Sequence, residues 1–426
     1  MREMKDSGIE WIGEIPCDWK LERSQWHLEE VNISNNPVQT NNVLSLTNKL
    51  GVVPYEEKGN QGNKSKENVY EYKLAYPNTI VANSMNILIG SVGLCDYFGC
   101  VSPVYYVFRA KKYNNIKFLN YVFQTVGFQR ELRKYANGIL EIRLRVSSSD
   151  ILKRFIPFPS EIEQQRIAEF LDRECGKIDG LKADIQTQID ALEQYKRSVI
   201  TEAVTHGLNP SVPMKDSGAG WMPLIPTHWK SDKLKYHLRQ RGIKNQKDKQ
   251  VLSLYREYGI VPKDSRDDNH NVTSEDVSDY RYVRVGDFVV NKMKAWQGSV
   301  AVSGYEGIVS PAYFVYEFSD NLINRRYFHY LMRNKSYTTE YRRLSGGIRE
   351  GQWDLPAESL NNIFILIPPL AEQEEIAEYL DKKCAEIEWI IADKKLQIDT
   401  LEEYKKSLIY EYVTGKKTSY KKSSEK

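Results

Sequence analysis

The chain is written twice, and that repetition limits its fold more than any other feature. Met4-Lys5-Asp6-Ser7-Gly8 recurs as Met214-Lys215-Asp216-Ser217-Gly218, Trp11 as Trp221, Ile15-Pro16 as Ile225-Pro226 and Trp19-Lys20 as Trp229-Lys230. Looser matches continue inward. Asn83-Ser84-Met85 faces Asn291-Lys292-Met293, Val101-Ser102-Pro103 faces Val309-Ser310-Pro311, and Gly138-Ile139 faces Gly347-Ile348. The final stretch matches best: residues 159–205 align without a gap on 368–414, with 24 of 47 positions identical. A period near 209 residues is far above solenoid spacing, so the expectation is tandem duplication of a whole unit.

Each unit contains two kinds of sequence. The first is strand-rich and punctuated, as in "NTIVANSMNILIGSVGLCDYFGCVSPVYYVF" and "YRYVRVGDFVVNKMKAWQGSVAVSGYEGIVSPAYFVYEF", which reads as short strands between turns. Residues 117–135 and 325–344 read as helices that complete an α+β domain. The tryptophan-bearing lead-ins are expected to be non-helical and docked on their own domains.

The second kind is a long charged segment. Apolar residues at Ile167, Leu171, Cys175, Ile178, Leu181, Ile185, Ile189, Leu192, Tyr195 and Val199 step by three or four. The second copy follows with Ile376, Leu380, Cys384, Ile387, Ile390, Lys394, Ile398, Leu401, Tyr404 and Leu408. Such spacing predicts a coiled-coil seam. The expected fold is therefore α+β: a tandem duplication of a globular α/β domain followed by a long helix, with the two long helices pairing as an antiparallel coiled-coil spacer.

Composition narrows the function classes. The formal net charge is only +3, so local basic patches matter more than the total. The five cysteines show no metal-ligand spacing, and the six histidines do not cluster in sequence. No signal-like segment or membrane-length apolar run is evident, which points to a cytoplasmic chain with reduced thiols. Neither a Gly-x4-Gly-Lys-Ser/Thr phosphate loop nor an Asn/Asp-Pro-Pro-Tyr/Phe methyltransferase motif is present; Ile367-Pro368-Pro369-Leu370 is a superficial echo of the latter.

"SGIEWIGEIPCDW" and "SGAGWMPLIPTHW" lead the two units. "IPFPSEIEQQRIAEFLD" and "IPPLAEQEEIAEYLD" open the long helices, and "LEQYKRSVITEAVTHG" and "LEEYKKSLIYEYVTGK" close them. In this organisation, over nearly its full length, the chain resembles the specificity subunit of type I restriction-modification systems. The resemblance implies a first target recognition domain at 1–157, a spacer helix at 158–207, a second target recognition domain with its lead-in at 208–366, a second spacer helix at 367–415 and a basic tail at 416–426. It also implies a DNA-binding subunit without a catalytic site that reads a split, asymmetric target in double-stranded DNA. Two modification subunits methylating adenine N6 and the restriction subunits would be its partners, with one copy of this chain per complex. No cofactor is expected in this chain; S-adenosylmethionine, ATP and Mg would belong to the partner subunits.

Candidate DNA contacts follow from the need for long donors to phosphates and shorter ones to base edges. In the first unit they are Lys64, Lys66, Asn83, Ser84, Asn86, Arg130, Arg133, Lys134, Arg143 and Arg145. In the second they are Lys292, Lys294, Trp296, Gln297, Arg342, Arg343, Arg349 and Gln352. Basic residues on a helix equally describe a solvated face, and Trp296 a core aromatic. Gln164, Glu169, Gln373 and Glu378 recur in both long helices, so a surface for two equivalent partners is expected there. Two other readings stay open: a specificity factor of a related phage-defence methyltransferase, and a coiled-coil adaptor or inhibitor that reads no DNA.

Overall fold

In the computed structural model, the described residues are 2–47, 51–58, 68–111, 114–138, 144–265, 273–347 and 353–418. They form two compact units: Met1–Ile185 with Lys395–Lys426, and Gln186–Lys394.

Each unit is built around a four-stranded antiparallel sheet. In the first, the strand order is Leu28–Glu30, Tyr105–Ala110, Thr79–Asn83, Val92–Cys95. In the second it is Leu238–Arg241, Tyr313–Phe318, Phe288–Asn291, Val300–Val302. The register recurs with the order: Tyr105 pairs with Asn83, and Tyr313 with Asn291. Each lead-in is a hairpin, Met4–Asp6 on Glu14–Pro16 and Met214–Ala219 on Met222–Pro226. The next strand, Lys20–Arg23 or Lys230–Lys233, pairs with the strand that enters the long helix, Phe155–Phe158 or Phe364–Ile367. The lead-in tryptophans dock as expected: Trp11, Trp19 and Trp229 are buried in their units' cores, and Trp221 packs against the second.

Residues 117–135 form two helices rather than one, Ile116–Gln124 and Val126–Arg133. Thr125 divides them, because its side chain caps the second by accepting from Phe128 N–H. Asn334 does the same between Arg325–Arg333 and Lys335–Leu344, accepting from Ser336 and Tyr337 N–H. An N-cap inside an apolar-periodic stretch leaves the periodicity intact, so the pattern alone reads as continuous.

The long helices span Glu161–His206 and Leu370–Val413, about 69 and 66 Å at 1.5 Å per residue. Each unit takes part of both. In the first unit, Ile167, Leu171, Cys175 and Ile178 share a core with Leu408, Ile409, Tyr412 and Val413, and Phe170 stacks on Tyr412 at 4.3 Å. In the second, Ala203 and Val204 share a core with Ile376, Ala377 and Leu380.

Polar pairs give the direction of these contacts. Asp179 meets Lys405 at 2.7 Å and Lys182 meets Glu402 within the first unit. Lys196 meets Glu388, and Gln188 meets Lys394 at 2.5 Å, within the second. One number falls as its partner's rises, so the segments run antiparallel. Asp179–Lys405 and Glu388–Lys196 occupy matching positions of the repeat, so both units use the same ion pair.

The seam differs from the expected one at four places, one of them Tyr404, which is exposed while Lys405 reaches Asp179. Leu181, Tyr195 and Ile390 are exposed, while Lys182, Lys196 and Ile391 face the neighbouring helix. Lysine stems lie along the seam with their ammonium groups on carboxylates; apolar spacing alone picks the adjacent apolar residue instead. Lys394, which interrupts the stripe, reaches Gln188.

Candidate nucleic-acid interface

The central sheet delivers a tight turn to the same place in each unit. In the second unit the strand ending at Asn291 runs into a 3-10 turn at Ala295–Gln297. Asn291 Oδ1 accepts from Met293 N–H at 3.1 Å, and Gly298 closes the turn at φ +90°. A side chain at Gly298 would strain that backbone and press on Thr338 of the following helix. In the first unit Asn83 Oδ1 accepts from Met85 N–H at 3.0 Å, and Gly90 closes the turn Ile87–Ile89 at φ +87°, against Gln129. The Asn-x-Met identity thus encodes a turn.

A loop is pinned beside each turn. The Gly346–Asp354 bridge closes one, and Leu355 N–H donates to Lys292 C=O at 2.9 Å. Lys292 Nζ lies 3.2 Å from Asp354. Trp353 packs on Trp296 with ring centroids 5.3 Å apart, and the Arg342 guanidinium lies 5.8 Å from the Trp353 ring. Lys292, Trp296 and Arg342, far apart in sequence, therefore meet around Trp353 and Asp354. The sequence reading missed those two residues; the tryptophan directly after the Gly-rich 345–352 segment was the available signal. Lys294 is exposed and Gln297 half-buried on the same turn. Arg343 points elsewhere, forking onto the buried Glu340 at 2.6 and 2.7 Å.

In the first unit the Asn137–Arg145 bridge closes the corresponding loop, Val146 N–H donates to Ser84 C=O, and Arg145 reaches Met85 Sδ at 3.7 Å. Asn86 and Arg145 are exposed. Asn83 and Ser84 are buried, and Asn83 is spent on the turn, so neither is exposed as the expected contacts would be. Arg130, Arg133 and Lys134 are exposed on or just after the Val126–Arg133 helix. Lys134 is shared between Glu131 at 2.8 Å and Glu10 at 3.2 Å. Lys64, Lys66, Arg143, Arg349 and Gln352 lie outside the described residues.

The glutamines expected on a partner surface face inward. Gln164 accepts from Asn115 N–H at 3.1 Å and donates to Pro159 C=O at 3.0 Å. Gln373 accepts from Asn324 N–H at 2.7 Å and donates to Leu322 and Pro368 C=O at 2.9 and 2.8 Å. Asn115 and Asn324 are themselves helix N-caps, so each glutamine locks its long helix to the domain before it. Neighbouring identities do the same work. Trp19 donates to Glu163 at 2.9 Å, and Trp229 to Glu372 at 3.0 Å. Tyr121 and Tyr330 donate to Asp172 and Asp381, each at 2.7 Å. Burial and then the Asp172 carboxylate raise the Tyr121 pKa; Glu163, above all, raises that of Arg2, which bridges Glu163 and Asp18. Identity between copies at these sites reflects an internal clamp made twice. Glu169 and Glu378 are exposed.

Among the described residues no group of three or more His, Cys, Asp or Glu is placed to hold a metal, and no helix is long and apolar enough to cross a membrane.

Residues 241–399 match the family of the type I restriction modification DNA specificity domain. The StySPI specificity subunit of a type I restriction enzyme from Salmonella potsdam is 22% identical over 284 residues, which are 64% of this chain and 59% of that protein. The chain thus matches less than two thirds of that relative's length. A structure described for complex assembly and conformational transition of a type I restriction-modification system superposes with TM-score 0.66 at 12% identity, covering 94% of this chain and 98% of the other. The HsdS subunit from Thermoanaerobacter tengcongensis gives TM-score 0.50 at 14% identity, with 94% and 98% covered. Residues 241–399 thus resemble a type I restriction-modification DNA specificity domain, and the chain as a whole is similar in fold to the subunits of those systems.

Proposed function

We propose that this chain reads a bipartite, asymmetric DNA target and directs adenine-N6 methylation and ATP-dependent restriction by partner subunits, with no catalytic site of its own. One observation carries the reading. The same turn-and-loop platform is built twice on the same sheet end, held by shared residues and presenting different ones. Asn83 and Asn291 fix the turns, while Leu88 and Arg145 occupy the positions of Trp296 and Asp354. A shared frame with divergent side chains suits two modules that read different half-sites. We read 1–157 and 208–366 as the recognition domains, and 158–207 and 367–415 as helices of an antiparallel coiled-coil spacer produced by tandem duplication. We read 416–426 as a basic tail.

Partner subunits would meet the outer faces of the helices. Leu181 and Tyr404 are exposed in the first unit, and Tyr195, Trp389 and Ile390 in the second. Exposed aromatics on these faces, together with the exposed Glu169 and Glu378, suit protein partners better than the inward glutamines do.

The test is selection of duplexes from a random library by this chain purified with its modification subunit. A two-part consensus is expected. Trp296→Ala with Arg342→Ala should relax only the second part. Selection without any consensus would refute DNA reading.

A further inference from the structure

Three cavities, of about 690, 400 and 310 Å³, differ in the charge of their walls. The one beside Trp221, about 690 Å³, has Glu340, Glu358 and Arg343 in its wall. One of about 310 Å³ at Lys117 contains Glu169 and Asp172. The third, about 400 Å³, opens beside the Asn291–Gly298 turn, and no Asp or Glu lines it among the described residues. Its only charged lining groups are Lys263, from the 3-10 turn after the strand Gly259–Pro262, and Lys294. Ser253, Ser310, Tyr280 and Tyr313 bring hydroxyl-bearing side chains to its wall, and Asn291 is held there by Met293 N–H and by Tyr313.

We propose that this cavity seats a backbone phosphodiester of the bound DNA, with Lys263 and Lys294 neutralising it. The inference rests on the DNA-reading role proposed above and specifies how the second unit grips its half-site. Two ammonium groups without a carboxylate among the described lining residues favour an anion, and hydroxyl donors suit phosphate oxygens. Lys263 already donates to Thr273 Oγ1, which holds its stem at the rim. The seat adjoins the platform, so a phosphate held there adds affinity beside Trp296 and Arg342 without itself reading sequence.

At the equivalent described positions the first unit lacks the two lysines. The shared positions keep their identity: Ser45, Tyr72, Asn83 and Ser102 stand where Ser253, Tyr280, Asn291 and Ser310 do. Tyr55 and Asn86, however, replace Lys263 and Lys294. The two half-sites should therefore be gripped unequally, with this electrostatic anchor confined to the second.

The experiment measures affinity for the selected duplex against salt, using the chain with its modification subunit. For Lys263→Gln with Lys294→Gln, the slope of log affinity on log salt should fall by about 0.9, which is about eightfold weaker binding at 0.1 M salt. The selected consensus should be unchanged, and Lys263→Arg with Lys294→Arg should retain the wild-type slope. An unchanged slope in the glutamine variant overturns the seat, and so does a changed base preference in the second half. Wild-type complex without sequence-selective, salt-dependent binding would instead remove the DNA-reading role itself.

Discussion

Gln373→Ala tests the clamp between long helix and domain. The side chain is fully buried and makes three hydrogen bonds, to Asn324 N–H, Leu322 C=O and Pro368 C=O. Alanine strands the N–H and leaves two carbonyls short of a partner. One orphaned buried group costs about 1–3 kcal/mol, and carbonyls that retain a second lone pair fall at the low end. A total of about 3–4 kcal/mol follows. For a cooperative unit of about 200 residues, each kcal/mol is worth about 2–4 °C, so the melting temperature should fall by about 6–15 °C. Gln164 makes two such bonds rather than three, so Gln164→Ala should cost less. Differential scanning calorimetry reads both, and hydrogen exchange over Arg325–Arg333 should rise in the Gln373 variant alone. A shift below about 1 °C, combined with lost binding of the modification subunit, would refute the clamp and restore the partner-surface reading.

Other outcomes follow from single contacts. At Gly415 φ is +73° and an added Cβ would lie 2.5 Å from Pro16, whereas at Gly8 φ is +69° with nothing within 4 Å. Thermal denaturation should therefore show a loss of about 2–5 kcal/mol for Gly415→Ala against about 1–2 for Gly8→Ala. Burial, reinforced by Arg333, holds the His329 imidazole down at about 4 from its ordinary 6.5, and its Nδ1 accepts from Val302 N–H. The unfolded chain binds that proton first, so stability falls as pH drops from about 6.5 to about 4, by at most about 3 kcal/mol. Urea titrations across that range should flatten in His329→Gln. Glu388→Lys sets two ammonium groups together at the part-exposed Lys196 pair and should cost up to about 1 kcal/mol; adding Lys196→Glu should recover most of it in a double-mutant cycle.

Much of this was legible in the chain. The repeat, the strand-rich and helical halves and the docking role of the lead-in tryptophans all follow from residue pattern. The seam phase at Lys182, Lys196 and Ile391 was not, because a lysine stem can occupy an apolar stripe without an apolar letter marking it. Gln164 and Gln373 show a second limit. Two copies keep the same residue whether it meets the same partner or the same backbone, and only burial separates these causes. At the platform, Trp296 and Lys292 were found from local chemistry. Trp353 and Asp354 were not, because the bridge from Gly346 to Asp354 brings them to the turn. Asn83 was read as a contact for the opposite reason: a turn-building asparagine and a base-reading one look alike until the hydrogen-bond acceptor is traced.

The central claim is tested most directly by mapping N6-methyladenine across a genome in cells expressing this chain with its modification subunit. The account predicts one new split motif whose two halves differ, and whose second half alone changes when Trp296 and Arg342 are replaced. A stable complex that leaves no new methylated motif would contradict it.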